Sequence, residues 1–191
     1  MRTEVHVKKQ IVISALIGAL VAAAGMLWEQ PSFGATPDVQ AAFSPDGGGE
    51  RLVLKTIYGA RQRIRVMAYS FTSPVIVKAL LEAKRRGVDV ALTVDYRNNI
   101  EEDRSGKAAA ALGALAYAGI PVRVVRVFPM QHSKYAICDE TVETGSYNFS
   151  QAAAHFNSEN VLVLSNHPEI ARAYLDNWNQ VTALGEPYRA R

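Results

Sequence analysis

This 191-residue chain has little cysteine, only a small net charge and few side chains spaced as metal ligands. Cys138 is its only cysteine, so no intrachain disulfide can form, and a lone cysteine more commonly packs as a small apolar residue than reacts as a thiol. The formal net charge is only +3, without a polybasic run, which argues weakly for a nucleic-acid partner. No internal repeat and no second domain are indicated. Composition alone therefore does not identify a function.

The first 34 residues have the features of an export signal. A charged stretch precedes the apolar run of residues 11–27, and Ser32 and Gly34 stand at positions −3 and −1 of a cleavage site. The apolar run is also nearly long enough for an uncleaved membrane anchor. We therefore expect residues 35–191 to form one domain outside the cytoplasm. It would be periplasmic or secreted if the signal is cleaved, and held at the inner membrane if it is not.

Strand and helix patterns alternate along that domain. This alternation predicts an α/β layered sandwich, with a mixed, mostly parallel β-sheet flanked by helices. The sheet should be mixed because two of its strands, near residue 140, are joined by a link too short for parallel pairing. Residues 98–106 are polar and indicate a loop. The predicted strands are residues 39–43, 64–69, 88–95, 121–127 and 160–164, and the main predicted helices are residues 50–62, 74–86, 107–118 and 168–184.

Two short polar pairs stand out around residue 140. If each half of this region is a strand, His132 and Lys134 share one face, and Ser146 and Asn148 share another. The two pairs can then converge on one small anion. An imidazole serves nucleophilic or acid–base chemistry, an ammonium offsets phosphate charge, and hydroxyl and amide groups hold phosphate oxygens. The residue types therefore predict phosphoryl chemistry.

The spacing of these residues carries a family resemblance. The pattern HxKxxxxD, from His132 to Asp139, followed by GSxN ending at Asn148, resembles the HKD motif of the phospholipase D superfamily of phosphodiesterases. From about Ala42 to Trp178 the chain is similar to the small, single-motif, periplasmic endonucleases of that superfamily. The resemblance implies the phospholipase D/nuclease fold and a reaction without divalent ions.

The resemblance also implies a role for each motif residue. His132 would attack phosphorus to give a phosphohistidine, while a second histidine protonates the leaving group and later activates water. Lys134 and Asn148 would bind the phosphate oxygens, with Ser146 supporting them. The Glu159 carboxylate would hydrogen-bond the imidazole and fix its orientation. Asp139 completes the catalytic motif, and its position at the hairpin turn favours a mainly structural role.

The chain contains one copy of the motif, although the reaction needs two histidines. His155 lies in no second HxK pattern, and His167 precedes Pro168 at a helix start, where a surface role is typical. We therefore predict a homodimer whose twofold axis brings two copies of His132 to one composite site. The carboxylates near the motif are not spaced with histidines as metal ligands, so we predict no metal and no cofactor.

The predicted function is a metal-independent phosphodiesterase that cleaves DNA, with RNA as an open second substrate and little sequence preference. One alternative is phospholipase D-type hydrolysis of a phospholipid head group, such as that of phosphatidylcholine. Another is a non-catalytic nucleic-acid-binding envelope protein. No stable protein partner besides a second copy is expected.

Other polar and aromatic side chains leave two readings open. Four arginines can line a phosphate track or lie in solvent: Arg61, Arg63, Arg123 and Arg126. Four aromatic residues can stack on bases or pack in the core: Tyr69, Phe71, Tyr147 and Phe149.

Overall fold

The computed structural model describes residues 38–189, so the predicted leader, residues 1–34, lies outside the described residues. Within that range no helix is long and apolar enough to cross a membrane. The strands are β1 (Asp38–Ser44), β2 (Arg63–Ala68), β3 (Asp89–Asp95), β4 (Val122–Val125), β5 (Tyr135–Cys138), β6 (Thr141–Gly145), β7 (Glu159–Ser165) and β8 (Glu186–Pro187). The helices are α1 (Gly48–Gly59), α2 (Pro74–Arg85), a π-helix (Arg97–Glu101), α3 (Lys107–Tyr117), α4 (Gln151–His155) and α5 (Pro168–Ala183).

All eight strands join one mixed sheet flanked by helices, which confirms the predicted fold class. The strands lie in the order β1-β7-β6-β5-β2-β3-β4-β8. Parallel pairing is confined to β2-β3-β4, and the other neighbours in the sheet pair antiparallel. The expectation of a mostly parallel sheet is corrected in this respect. Only β2-β3 and β3-β4 are joined by the long helical crossovers, α2 and α3, that parallel neighbours require.

The sheet separates two apolar layers. Side chains alternate along β2, so Val66 packs in the larger cluster with α1, α2 and α3, while Met67 packs on the opposite face with Trp178 of α5. The Trp178 indole also donates a hydrogen bond to the Val66 carbonyl at 3.0 Å. Phe71, Tyr147 and Phe149 are fully buried in the larger cluster. These three aromatic residues are therefore part of the core, which rules out base stacking by them.

Local sequence signals set the bounds of α2. The Ser73 hydroxyl accepts a hydrogen bond from the Ile76 N–H at 3.3 Å, and Pro74 is the first helical residue, as predicted. Gly87, just past the helix, has φ of 90°, a conformation that glycine adopts without strain. The first residues of the loop expected at 98–106 belong instead to the π-helix. Asn99 of this helix is buried and hydrogen-bonds backbone groups that an exposed loop would leave to water.

One carboxyl group is buried inside the sheet region. Glu143 of β6 is 1% exposed, and its Oε2 has no hydrogen-bond partner among the described residues. Burial raises its pKa to about 8, against a smaller opposing effect of a hydrogen bond from the Ala136 N–H. The folded protein therefore holds this carboxyl in its neutral form at pH values where the unfolded chain ionises it.

Glu143 should make the folded state less stable as pH rises. Between the ordinary pKa of 4.5 and the raised value of about 8, only the unfolded chain releases the proton, so the free energy of unfolding falls with pH. The slope from this one group approaches about 1.4 kcal/mol per pH unit. Glu143→Gln should remove that contribution in urea unfolding measured from pH 5 to pH 8. Glu140→Gln, at the exposed neighbouring turn, is the control, and equal slopes for Glu143→Gln and wild type would contradict the assignment.

Candidate active site

The two halves of the motif meet at one end of the sheet. β5 begins at Tyr135 and β6 ends at Gly145, so His132 and Lys134 lie just before one strand and Ser146 lies just after the other. The hairpin is therefore shorter than predicted, and the expected alternation of faces within strands does not apply to these residues. They still converge, because antiparallel pairing of Tyr135 with Thr144 places the start of β5 beside the end of β6.

His132 is exposed and lies against an aromatic ring. Its imidazole packs on the Tyr69 ring with 4.6 Å between ring centroids and 59° between the ring planes. None of the residues described hydrogen-bonds an imidazole nitrogen of His132. The imidazole is thus held by ring packing and by its backbone, and the residue is exposed to solvent.

Lys134 is held next to His132. Its side chain is buried, its Nζ donates a hydrogen bond to the His132 carbonyl at 2.7 Å, and the ammonium lies 4.9 Å from the centroid of the Tyr69 ring. Burial lowers the pKa of Lys134, while the nearby Glu159 carboxylate opposes that effect. The imidazole and the ammonium therefore lie against the same ring at one end of the sheet.

Glu159 contacts Ser146 instead of the imidazole. The Ser146 hydroxyl donates to one carboxylate oxygen at 2.5 Å, and the Asn157 amide donates to the other at 2.9 Å. The Ser146 oxygen also accepts a hydrogen bond from the Asn160 N–H at 3.1 Å. The hydrogen bond between Glu159 and His132 that the resemblance implies is thus not made within one described chain. Glu159 begins β7 and His132 lies in the segment before β5, and the carboxylate is satisfied by its own neighbours.

Asn148 lies beside the segment that follows β2. The next residue, Phe149, accepts hydrogen bonds from the Thr72 and Ser73 N–H groups, each at 2.9 Å. The Asn148 side-chain oxygen is buried and has no hydrogen-bond partner in the part of the chain that the structure describes. Phosphate oxygens accept hydrogen bonds, so it is the NH₂ group of Asn148, and not this oxygen, that can donate to a substrate phosphate.

Asp139 lies at the opposite end of β5 from His132. Its carboxylate accepts hydrogen bonds from three successive backbone N–H groups, those of Arg61 at 2.8 Å, Gln62 at 3.0 Å and Arg63 at 2.8 Å. The structure therefore does not bring Asp139 into the catalytic cluster. This residue fixes the β5-β6 turn against the start of β2, which agrees with the structural role favoured by the sequence.

An open cleft of about 430 Å³ borders His132 and Lys134, with Tyr174 and Asn177 of α5 on its other side. A larger groove of about 850 Å³ lies at the far end of the sheet, where Asp139 and Arg63 line it. We place the reaction in the smaller cleft, because the imidazole and the ammonium are both there. Arg61 and Arg63 are at the wrong end of the sheet to guide a phosphate to His132.

Sequence reasoning missed the residues that hold the motif in place. Asp95 ends β3, Asn99 lies in the π-helix that follows, and both are buried; Asp95 accepts a hydrogen bond from the backbone of the segment that carries His132. Polar residues directly after an apolar strand were the available signal, because the carboxyl ends of strands in α/β sheets are common sites of binding. The sequence predicts that Tyr69 stacks on bases or packs in the core, whereas its ring contacts both His132 and Lys134.

Two further sequence predictions concern cysteine and metals. Cys138 is fully buried, and burial raises the pKa of its thiol, so it is a core residue. Among residues 38–189, no three His, Cys, Asp or Glu side chains are grouped as metal ligands. The metal-independent reaction itself stays a prediction.

The geometry suits attack on a phosphate. An accessible imidazole nitrogen can act as nucleophile, and an adjacent ammonium can offset the charge of the phosphate oxygens. The Asn148 amide lies at the same end of the sheet and can contact the same anion, whereas the Ser146 hydroxyl donates its one proton to Glu159.

Comparisons with known proteins show the family to which the chain belongs. The family model described as "Cardiolipin synthase, PLD-like domain" matches residues 53–182. A phospholipase D of Rickettsia bellii is 36% identical over 141 residues, which are 73% of this chain and 67% of that protein. A mitochondrial cardiolipin hydrolase of Xenopus laevis is 32% identical over 152 residues, which are 79% of this chain and 66% of that protein. The solved structure of Nuc from Salmonella typhimurium, a phospholipase D family member, has 46% sequence identity and a TM-score of 0.77, covering 81% of this chain and 99% of that chain. The chain therefore belongs to the phospholipase D superfamily and is a phosphodiesterase.

Proposed function

We propose that this phosphodiesterase is a metal-independent endonuclease that hydrolyses DNA at a composite site of a homodimer outside the cytoplasm. The observation that carries the proposal is the accessible His132 imidazole, held beside the buried Lys134 ammonium at an open cleft. RNA is a second substrate of the same chemistry. Groups that contact only the phosphate cannot read bases, so cleavage should depend little on sequence.

The proposed reaction has two steps. A nitrogen of one His132 attacks phosphorus, the bond from phosphorus to the leaving oxygen breaks, and the second imidazole donates a proton to that oxygen. Water then attacks the phosphohistidine, the second imidazole takes the proton of the water, and the bond between phosphorus and nitrogen breaks. Lys134 and Asn148 bind the phosphoryl oxygens in both steps, where negative charge is concentrated.

A dimer is proposed because one chain supplies one suitable imidazole. His167 lies at the far end of the sheet beside Glu169, and His155 is exposed on α4 without a neighbouring lysine of the motif. The segment leading into His132 exposes three large apolar side chains, Val127, Phe128 and Met130. An exposed apolar stretch of this kind is typical of an interface. A twofold contact there would bring the two copies of His132 together.

The same dimer would also complete the surroundings of the imidazole. Each His132 ring has accessible nitrogens, and each Glu159 carboxylate is held in place by Ser146 and Asn157. A twofold axis near the clefts would bring a second carboxylate toward each imidazole. The orienting hydrogen bond that the family resemblance implies would then form across the interface.

Hydrolysis of a phospholipid head group is the second candidate function. The exposed side chains of Phe128 and Met130 beside His132, and of Phe156 after α4, could contact acyl chains. The relatives named phospholipase D and cardiolipin hydrolase favour this candidate. The small open cleft and the similarity to the periplasmic endonucleases favour DNA.

The first test is nicking of supercoiled plasmid by the purified protein in the presence of a chelator. Wild type should relax the plasmid, and His132→Asn should lower the rate by at least about a thousandfold, because the nucleophile is removed. His167→Asn, at the far end of the sheet, is the matched control and should cleave normally.

Head-group release from phosphatidylcholine and cardiolipin vesicles is measured in parallel. Activity on vesicles without plasmid nicking would replace the nuclease with the lipid candidate, and retained cleavage by His132→Asn would remove His132 from the mechanism.

The second test concerns the composite site. Dimers carrying one wild-type and one His132→Asn subunit are purified with two different tags. Because one site needs both imidazoles, these heterodimers should lose almost all activity, whereas independent sites would retain about half. Heterodimers carrying one His167→Asn subunit control for the tags. A fully active monomer in analytical ultracentrifugation, or half activity in the His132 heterodimers, would refute the composite site.

A further inference from the structure

The end of β3 touches both segments that carry the His132 site. Asp95 is the last residue of that strand, and Asn99 lies in the π-helix that follows it. Both side chains are buried, at 2% and 1% exposure, and neither lines the cleft beside His132. We propose that Asp95 and Asn99 are positioning residues that set the location of the His132 imidazole and the Lys134 ammonium. The inference rests on the proposed role of His132 in the reaction.

Asp95 fixes the backbone that leads into His132. One carboxylate oxygen accepts a hydrogen bond from the Gln131 N–H at 2.8 Å, and the other accepts one from the Asn98 N–H at 2.7 Å. Gln131 is itself buried and immediately precedes His132. The residue before it, Met130, is exposed, so the chain enters the protein at the point that Asp95 holds. A hydrogen bond to a charged acceptor is roughly twice as strong as a neutral one, which suits it to hold a loop.

Asn99 fixes the ring on which both reactive groups rest. Its amide nitrogen donates to the Tyr69 carbonyl at 2.6 Å and to the Asp95 carbonyl at 2.8 Å. Its amide oxygen accepts from the Phe71 N–H at 2.9 Å. The Tyr69 backbone is thereby tied to the end of β3, and the Tyr69 ring contacts the His132 imidazole and the Lys134 ammonium.

Asp95 and Asn99 support the His132 site from different sides. Asp95 holds the backbone next to the imidazole, and Asn99 holds the backbone of Tyr69, whose ring lies against the imidazole. Side chains that react with a phosphate must be placed closely, since a displacement of about 1 Å can cost about a hundredfold in rate. The segment from Phe128 to Met130 is exposed and gives His132 little support of its own. The position of the imidazole therefore depends on Asp95 and Asn99.

Asp139 offers a matched control. Like the Asp95 carboxylate, the Asp139 carboxylate accepts hydrogen bonds from backbone N–H groups, but it does so at the other end of the sheet. Replacing either carboxylate with an amide turns one acceptor into a donor that faces an N–H group. Both variants should lose stability for the same reason, and only Asp95→Asn should displace His132.

The experiment compares Asp95→Asn and Asp139→Asn in the full-length protein. Asp95→Asn should lower kcat by about ten- to a hundredfold with KM changed by less than about threefold, because substrate contacts remain while the imidazole is misplaced. Asp139→Asn should keep kcat within about threefold although its melting temperature falls at least as far. An equal loss of kcat in the two variants would overturn the proposal.

A spectroscopic readout separates this inference from the proposed function. The His132 ring protons are shifted by the Tyr69 ring 4.6 Å away, so their NMR signals, assigned with His132→Asn, report the position of the imidazole without turnover. These signals should move in Asp95→Asn and stay in Asp139→Asn. Movement of the signals without any loss of activity would refute the role of His132 in the reaction but not its positioning by Asp95. Unmoved signals in Asp95→Asn would refute the positioning itself.

Tyr69 provides a second series in case Asp95→Asn does not fold. The Tyr69 side chain is half-buried, so its replacement leaves the core intact. Tyr69→Leu should lower kcat, whereas Tyr69→Phe keeps the ring and should keep kcat near the wild-type value. The NMR signals are compared only between wild type and Tyr69→Phe, because loss of the ring moves them by itself. Full activity in Tyr69→Leu would overturn the contribution of the ring, and with it the role of Asn99.

Discussion

The antiparallel pairing of β5 with both of its neighbours determines where the chemistry lies. β5 runs opposite to β2 on one side and to β6 on the other, so its first residue lies beside the last residues of both. Tyr69 follows β2, Lys134 precedes β5 and Ser146 follows β6. Three segments distant in sequence thus meet at one end of the sheet, and no single loop has to fold over the site. A register shift of one residue in β5 would turn Tyr135 from one layer to the other and displace His132 with it.

This arrangement places charged groups in poorly hydrated surroundings, and the protein compensates for each in a different way. Lys134 is buried, yet its ammonium is hydrogen-bonded to the His132 carbonyl and lies near the Glu159 carboxylate. Asp95 has one backbone N–H for each oxygen. Glu143 has no such pair of donors, and burial raises its pKa so that the neutral form is favoured. The buried groups with these hydrogen bonds, Lys134 and Asp95, are thus the ones tied to the site or to its support.

Sequence reasoning identified the fold and the motif because both depend on local patterns. Alternating strands and helices predict the layered sheet, and the Ser73-Pro74 start of α2 is a local signal that the structure confirms. The extent of parallel pairing, the early end of β4 at Val125 and the short strand β8 were not predicted. Each depends on which segment a strand pairs with, and that choice is made by the whole fold. β8, for example, exists only because α5 returns the chain to the edge of β4.

The candidate site shows the same difference between what local sequence patterns predict and what the whole fold decides. His132, Lys134, Ser146 and Asn148 follow from spacing in one stretch of sequence, and the structure brings their segments together at one end of the sheet. The partner of Glu159 and the support given by Asp95 and Asn99 depend on contacts between segments far apart in sequence. No periodicity encodes such contacts, so a motif can show which groups react without showing what orients them.

Charge provides a second reason, independent of the histidine count, to propose that two chains share one site. Negative charge accumulates on the phosphoryl oxygens as the imidazole attacks, and a single described chain brings one ammonium, Lys134, whose charge Glu159 partly offsets. Arg126, which directly follows β4 at that end of the sheet, is engaged with the Tyr96 ring and with Glu186. A second copy across a twofold axis would add a second ammonium and a second amide to the same phosphate. Symmetry would then supply the charge that a reaction without a metal ion requires, with no further residues needed in the chain.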